Sequence, residues 1–231
     1  MKKSILLIAI LIYNINIFSQ TGIIIYKVTN TIKNKASNPE MARKINEEIN
    51  RLSLKLIYNS EKSFFKKEKN IPLYPLEAKS AAIIAKSYNK WHQFNNLERL
   101  STYYTSILNK DYNVDFSYKM RDWELSNEFK IIDGFTCYKA TKKEVLRFGS
   151  IIEYTAWYAP KIPVPYGPGG YGGLPGLILK LEIGNRFYYM VDKITLNPKK
   201  KLKIPELKKG TKISVKEMIR LSREARKVTK D

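Results

Sequence analysis

The stretch from Tyr154 to Ile183, YTAWYAPKIPVPYGPGGYGGLPGLILKLEI, constrains this chain more than any other. Between Tyr158 and Gly176 fall five of the ten prolines (Pro160, Pro163, Pro165, Pro168, Pro175) and six of the eleven glycines (Gly167, Gly169, Gly170, Gly172, Gly173, Gly176). Proline lacks a backbone donor and glycine is entropically costly to order, so no helix or central strand survives there. The span must be a long loop, and β-like runs bracket it. Connections of this length inside a domain are uncommon and are usually functional or disordered.

The chain opens MKKSILLIAILIYNINIFSQ, a short basic start followed by an apolar run that fades at Asn14 and Asn16. That is the layout of a secretory signal peptide, too short for a comfortable membrane span. Residues 1–20 are therefore expected to be a leader and 21–231 a single exported domain, in the periplasm or outside the cell. No later stretch is apolar enough to span a bilayer.

Cys137 is the only cysteine, so no internal disulfide can form; a buried small apolar residue is the reading that fits. The formal net charge is +21. Such an excess favours anionic partners, yet the lysines are scattered along the whole chain, as on a solvated surface. Export argues against nucleic acid.

Several strands and helices can be read off. Gly22 to Val28 is a β-branched run. Asn38-Pro39-Glu40 is a helix start, with Met41, Ile45 and Ile49 at helical spacing to about Asn50. Leu52 to Tyr58 alternates, turns at Asn59-Ser60, and Ser63 to Lys67 returns. Ala78, Ala81, Ala82, Ala85, Tyr88 and Trp91 predict a helix over 76–94 that carries His92. Thr102 to Ile107 and Val114 to Met120 are strand candidates.

Two hairpins follow. Asp133-Gly134 is the favoured pair for a two-residue type I′ turn, setting Ile132 opposite Phe135, Lys130 opposite Cys137 and Glu128 opposite Lys139. Leu177, Leu179, Leu181 and Ile183 share one face of a later strand. A type II′ turn at Gly184-Asn185 would set Tyr188 opposite Leu181 and Met190 opposite Leu179. A basic loop (NPKKKLKIPELKKG) leads to a last helix, capped by Ser214 and Glu217, with an apolar stripe of Val215, Met218, Leu221, Ala225 and Val228. The fold class is α+β and β-rich: a curved, mainly antiparallel sheet, an open half-barrel, with a few packed helices.

Three motifs occur in order: Trp123 with Asn127, Glu128, Lys130, Ile132 and Gly134; then Cys137, Lys139 and Ala140; then Ala156, Trp157, Tyr158, Pro160, Ile162, Pro163, Gly167 and Pro168. They lead into the hexapeptide Gly173-Leu174-Pro175-Gly176-Leu177-Ile178. In these the chain resembles the GLPGLI family, small exported proteins of the Bacteroidetes. The resemblance implies no catalytic residue list and no cofactor.

Leu-Pro-Gly is turn chemistry, with proline and glycine at the two central positions of a type II turn. It would feed the next strand and send Leu174 into the core. On that reading the loop is a crossover at the sheet edge. On the other it is a lid or groove rim, where Trp157, Tyr158, Tyr166 and Tyr171 offer apolar, polar-tipped contact area. Glu124, Glu128 and Glu153 are not marked as a catalytic pair, and His92 has neither a G-x-S-x-G partner nor a metal-ligand cluster around it. The expectation is a non-catalytic binding module for an apolar chain, a peptide or an envelope protein. A hydrolase with an unrecognised site and a purely structural envelope protein stand as the alternatives.

Overall fold

A computed structural model describes residues 20–31, 38–145 and 149–228; the leader expected at 1–20 lies outside them but for Gln20. The order is β1 (Gly22–Asn30), α1 (Pro39–Asn50), β2 (Leu54–Tyr58), β3 (Lys62–Lys67), α2 (Pro75–Ile84), β4 (Trp91–Phe94), β5 (Ser101–Ile107) and β6 (Lys110–Asp115). After a 3-10 turn (Ser117–Met120) come β7 (Glu124–Ile132), β8 (Phe135–Val145), β9 (Ile151–Ala159), β10 (Leu177–Ile183), β11 (Phe187–Leu196), β12 (Thr211–Ser214) and α3 (Val215–Val228). One twelve-stranded sheet runs β12-β6-β5-β4-β3-β2-β1-β11-β10-β9-β8-β7. Its neighbours are antiparallel except β12, which lies parallel to β6.

Period-two alternation puts one apolar row on the inner face. Ile24, Leu56, Phe65, Trp91, Tyr103 and Val114 stand opposite one another in consecutive strands from β1 to β6, and all are buried. Burying a side chain of this size contributes about 1.5–3 kcal/mol, so such a row accounts for much of the sheet's cohesion. The sheet also curls. Lys142 on β8, second from one end, donates from Nζ to the carbonyls of Tyr118 at 2.6 Å and Arg121 at 3.2 Å. Both acceptors lie in the connection from β6, second from the other end, to β7, and Gln93 on β4 and Ser101 on β5 likewise reach across to the segment between β9 and β10. The ends approach without pairing, which makes an open half-barrel.

Helices α1 and α3 form where their caps predicted. Asn38 Oδ1 accepts from the Met41 amide at 2.9 Å, and Pro39 opens α1. Helix α2 has no side-chain cap of its own. Glu48, buried at the end of α1, reaches across instead, its Oε1 accepting from the amides of Leu73 and Tyr74 at 2.6 and 2.7 Å. In α3 the Glu217 amide donates to Ser214 Oγ at 3.2 Å, while the Glu217 carboxylate turns to Arg220. Only half of the expected capping box forms. Val215 and Met218 pack on the core. Among the described residues, no helix is long and apolar enough to cross a membrane, and Cys137 is buried and unbridged.

Four expectations need correction. The helix expected over 76–94 stops at Ile84, and Lys86 follows at φ +48°. His92 is therefore on a strand, where Trp91 pairs with Phe65 and Tyr103. Pairing in the sheet overrides the helical spacing of the alanines, a weak signal by itself. The strand expected over Val114–Met120 ends at Asp115, whose Oδ1 takes the Ser117 amide and hydroxyl at 2.8 and 2.6 Å and starts the 3-10 turn. Between β10 and β11 the connection has three residues, Gly184 to Arg186, so Ile183 faces Phe187 and Leu181 faces Tyr189. The expected partners were one residue off. A one-residue slip reverses every side chain, and the register found here is the one that buries Phe187 and Tyr189.

The fourth correction concerns the turn before β10. The left-handed residue is Gly173 at φ +82°, and Gly176 is not left-handed, so no type II turn centres on Pro175-Gly176. Both glycines answer to close packing. A Cβ on Gly173 would sit 1.9 Å from the Met120 carbonyl oxygen, and one on Gly176 would sit 2.4 Å from that of Ala159.

The hairpin at Asp133-Gly134 forms as expected, with φ of +48° and +76° and Ile132 opposite Phe135. Lys139 Nζ meets both Glu128 carboxylate oxygens at 2.9 Å.

Candidate functional site

The Pro/Gly loop does not travel over the sheet edge. It crosses the hollow of the half-barrel and fills it: Ile162, Val164, Tyr166, Gly167, Gly169, Tyr171 and Leu174 are all buried. A loop inside a protein must find partners for its peptide groups, and side chains from the opposite wall supply them. Ser101 Oγ on β5 donates to the Gly170 carbonyl at 2.7 Å, and Trp123 Nε1 donates to that of Gly172 at 2.8 Å. Gln93 on β4 serves twice. Its Nε2 donates to the Tyr171 carbonyl at 2.8 Å, and its Oε1 accepts from the Gly167 amide at 3.4 Å. Lys119 Nζ donates to the Gly169 carbonyl at 2.8 Å.

This placement decides where the four aromatic residues expected at a rim stand. Tyr166 is fully buried, its ring 6.1 Å from that of Tyr58. Tyr171 is buried 5.1 Å from the Tyr154 ring, and Tyr158 is buried 6.3 Å from that of Tyr138. Trp157 lies half-buried on the outer face beneath Lys130 Nζ, 3.8 Å from its ring centre. The structure does not bring the four together.

Two recesses flank the loop. The first is a chamber of about 260 Å³ lined by Lys86, Trp91, Phe116, Tyr118, Lys119, Glu144, Tyr154 and Tyr171, among others. Lys119 Nζ stands 3.6, 4.5 and 5.1 Å from the ring centres of Trp91, Tyr171 and Phe116. Burial holds its amine well below the usual lysine range, and the nearby Lys86 and Lys142 charges act in the same direction. The ring faces oppose this by attracting the ammonium, and they fix the side chain in place. Tyr154 donates to Glu144 Oε2 at 3.0 Å, and burial pushes its phenol up to about 12. Glu144 Oε1 lies 3.4 Å from Lys142 Nζ. Lys119 holds the loop and Tyr154 holds Glu144, while Glu144 Oε1 and Trp91 Nε1 are buried without a hydrogen-bond partner among the described residues.

The second recess is an open groove of about 500 Å³ on the other side of the loop. Pro163, Val164, Pro165 and the Gly173–Gly176 turn form one wall, and Arg121, Asp122, Trp123 and Leu125 form the other, with Asn95 and Arg99 at one end. The hexapeptide is thus part of the wall of an exposed cleft. Arg99 and Asp122 both adopt left-handed backbone, at φ +46° and +62°. Such strain in non-glycine residues gathers at functional sites. The two guanidiniums rest on carbonyls: Arg99 Nη1 on Gly173 at 3.2 Å and Arg121 Nη2 on Glu98 at 2.6 Å.

The groove opens onto β7, one edge of the sheet. The register pairs Leu125 with Ala140, Phe129 with Tyr138 and Ile131 with Thr136, so all three β7 residues share the inner face. They are 59, 66 and 63 % exposed, an apolar row with nothing laid on it among the described residues. Because Ile132 and Phe135 flank a two-residue turn, the ladder's alternation points the peptide groups of Ile131 and Phe129 toward the open edge. The other edge, β12, has only four residues.

Sequence reasoning singled out Trp123 but missed Arg99, Arg121, Leu125, Phe129 and Ile131. Alternation marks Phe129 and Ile131 as sharing a face. Whether that face is covered depends on how far the sheet curls.

A family model described as "Protein of unknown function (Porph_ging)" matches residues 148–180, which run through β9, the plug loop and the start of β10. No match is found among curated proteins. Two solved structures of PNGF-II, in space groups P21 and C2, superpose with TM-scores of 0.57 and 0.56 at 15% sequence identity. Each covers 90% of this chain but only 34% and 33% of PNGF-II. The chain thus spans about a third of the length of PNGF-II, and at this identity the likeness is one of fold.

Proposed function

We propose that this protein, read as an exported member of the GLPGLI family, is a non-catalytic binding module of the cell envelope that takes up an extended polypeptide segment along β7. The observation that carries the reading is the free edge of β7, with Leu125, Phe129 and Ile131 exposed in one row. Unpaired edge groups are a ready template for another strand. Peptide recognition by strand addition takes its affinity from main-chain hydrogen bonds and its specificity from alternate side chains. The apolar-chain carrier has less support, because the plug loop fills the hollow and the chamber of about 260 Å³ falls below the roughly 300–1,000 Å³ of ordinary ligand pockets. A hydrolase has less support because the chamber's amine and phenol are committed, Lys119 to the Gly169 carbonyl and Tyr154 to Glu144.

The test is fluorescence anisotropy with labelled peptides of alternating valine and threonine ending in phenylalanine, about nine residues long to match β7 at ~3.3 Å per residue. Binding is expected, weakened more than about tenfold by Phe129→Lys or Ile131→Lys, since edge anchors dominate such interfaces. Absence of binding, or binding indifferent to both substitutions, would sink the proposal.

A further inference from the structure

We infer that the groove at the start of β7 is a carboxylate pocket, and that the segment received on β7 is the C-terminal end of a polypeptide, held antiparallel with its terminal carboxylate between Arg99 and Arg121. This rests on the strand-addition reading of β7. Three observations lead to it.

Direction comes first. Every pairing from β1 through β11 to β7 is antiparallel, and antiparallel addition is slightly the more stable per residue. A strand antiparallel to β7 ends where β7 begins, at Arg121–Trp123, and that is where the groove lies.

Charge comes second. Arg99 and Arg121 donate to the Gly173 and Glu98 carbonyls, and no ion pair to either guanidinium is found among the described residues. A guanidinium offers five donors in a fork that matches a carboxylate. Resting one arm on a carbonyl positions the fork and leaves further donors to point elsewhere.

Shape comes third. The remaining lining is mixed: Trp123, Leu125, Pro163, Pro165 and Pro175 are apolar, and Asn95 and Asp122 stand beside them, so the two guanidiniums outnumber one carboxylate. Trp123 Nε1 is committed to the Gly172 carbonyl at 2.8 Å, which sets its ring as a fixed surface. A groove with apolar side chains along it and two forked cations in its lining suits a final apolar residue followed by a carboxylate. Left-handed backbone at Arg99 and Asp122 is strain maintained at the point where the two arginines enter.

The experiment uses the probe peptide described above, labelled on an internal side chain, in three forms on the intact chain: the N-acetylated free acid, the N-acetylated C-terminal amide, and the amide carrying an N-terminal succinyl group. The last has the same net charge as the acid with its carboxylate at the wrong end, so it separates the pocket from general attraction to a basic surface. The acid is expected to bind at least about tenfold tighter than both others, in line with charge-assisted pairing. The advantage should fall to about twofold or less in Arg99→Gln/Arg121→Gln. Equal binding of all three forms, while Phe129→Lys still weakens them, overturns the carboxylate pocket and leaves strand addition intact. Equal binding of acid and succinyl-amide overturns it too, in favour of surface charge. No binding of any form overturns both proposals. The comparison on the unaltered chain decides the matter even where the double variant fails to fold.

Discussion

Single residues fix how the plug sits. Gly173 is held by its φ of +82° and by the Met120 carbonyl, 1.9 Å from where a Cβ would stand. Both causes act on alanine, so Gly173→Ala is expected to cost about 3–4 kcal/mol in urea unfolding. An unchanged midpoint would contradict the packing described. His92 shows how burial writes a pH dependence. It is 6 % exposed beside Phe64, and desolvation lowers its pKa from 6.5 to about 4, with Glu206 pulling it up and Lys62 pulling it down. The unfolded chain therefore takes up a proton near pH 6.5 that the folded chain refuses until about pH 4. Stability from this group is complete above pH 6.5 and is lost as pH falls through that window. Allowing for solvent screening, the loss is roughly 2 kcal/mol. Urea titrations at both ends of the window should show that slope in the wild type and lack it in His92→Leu.

At the scale of elements, hairpins reveal what a turn can and cannot specify. Asp133-Gly134 set its register from the sequence because both left-handed positions are named by their residues. Gly184-Asn185 did not, because the loop includes Arg186 and the pleat alone cannot tell two residues from three. The buried pair of Phe187 and Tyr189 decides that register. The double variant Phe187→Ala/Tyr189→Ala removes both rings from the buried face while leaving the loop alone. Losing the burial of rings like these costs about 3–5 kcal/mol each, so the variant is expected to lose its cooperative unfolding transition. A double variant that melts like the wild type would show that the two rings do not hold the register. The helix expected over 76–94 failed for a related reason. Its alanines spaced correctly, but the backbone of the segment from Trp91 to Gln93 pairs with β3 and β5 in the sheet.

At the scale of the whole molecule, the half-barrel and its plug are one object. The loop's peptide groups are satisfied by Gln93, Ser101, Lys119 and Trp123, residues brought to it only by the curl of the sheet. Limited proteolysis separates this from a mobile lid. Trypsin is expected to cut first in the exposed basic loop at Lys199 to Lys203, while chymotrypsin leaves Tyr166 and Tyr171 intact, since cleavage needs local opening. Early cuts at those tyrosines would restore the lid. The β-rich class, most strand positions, the Asn38 cap and the first hairpin followed from local chemistry: turn residues, caps and alternation act over a few neighbours. The loop's existence followed too, because proline and glycine forbid anything else. Its path did not. Whether Tyr166 and Tyr171 face water or the core, whether Leu125, Phe129 and Ile131 are covered, and whether Arg99 meets Arg121 across one groove all depend on contacts between residues far apart in the chain. Only the closing of the sheet around its own loop makes those contacts, and no local pattern encodes them.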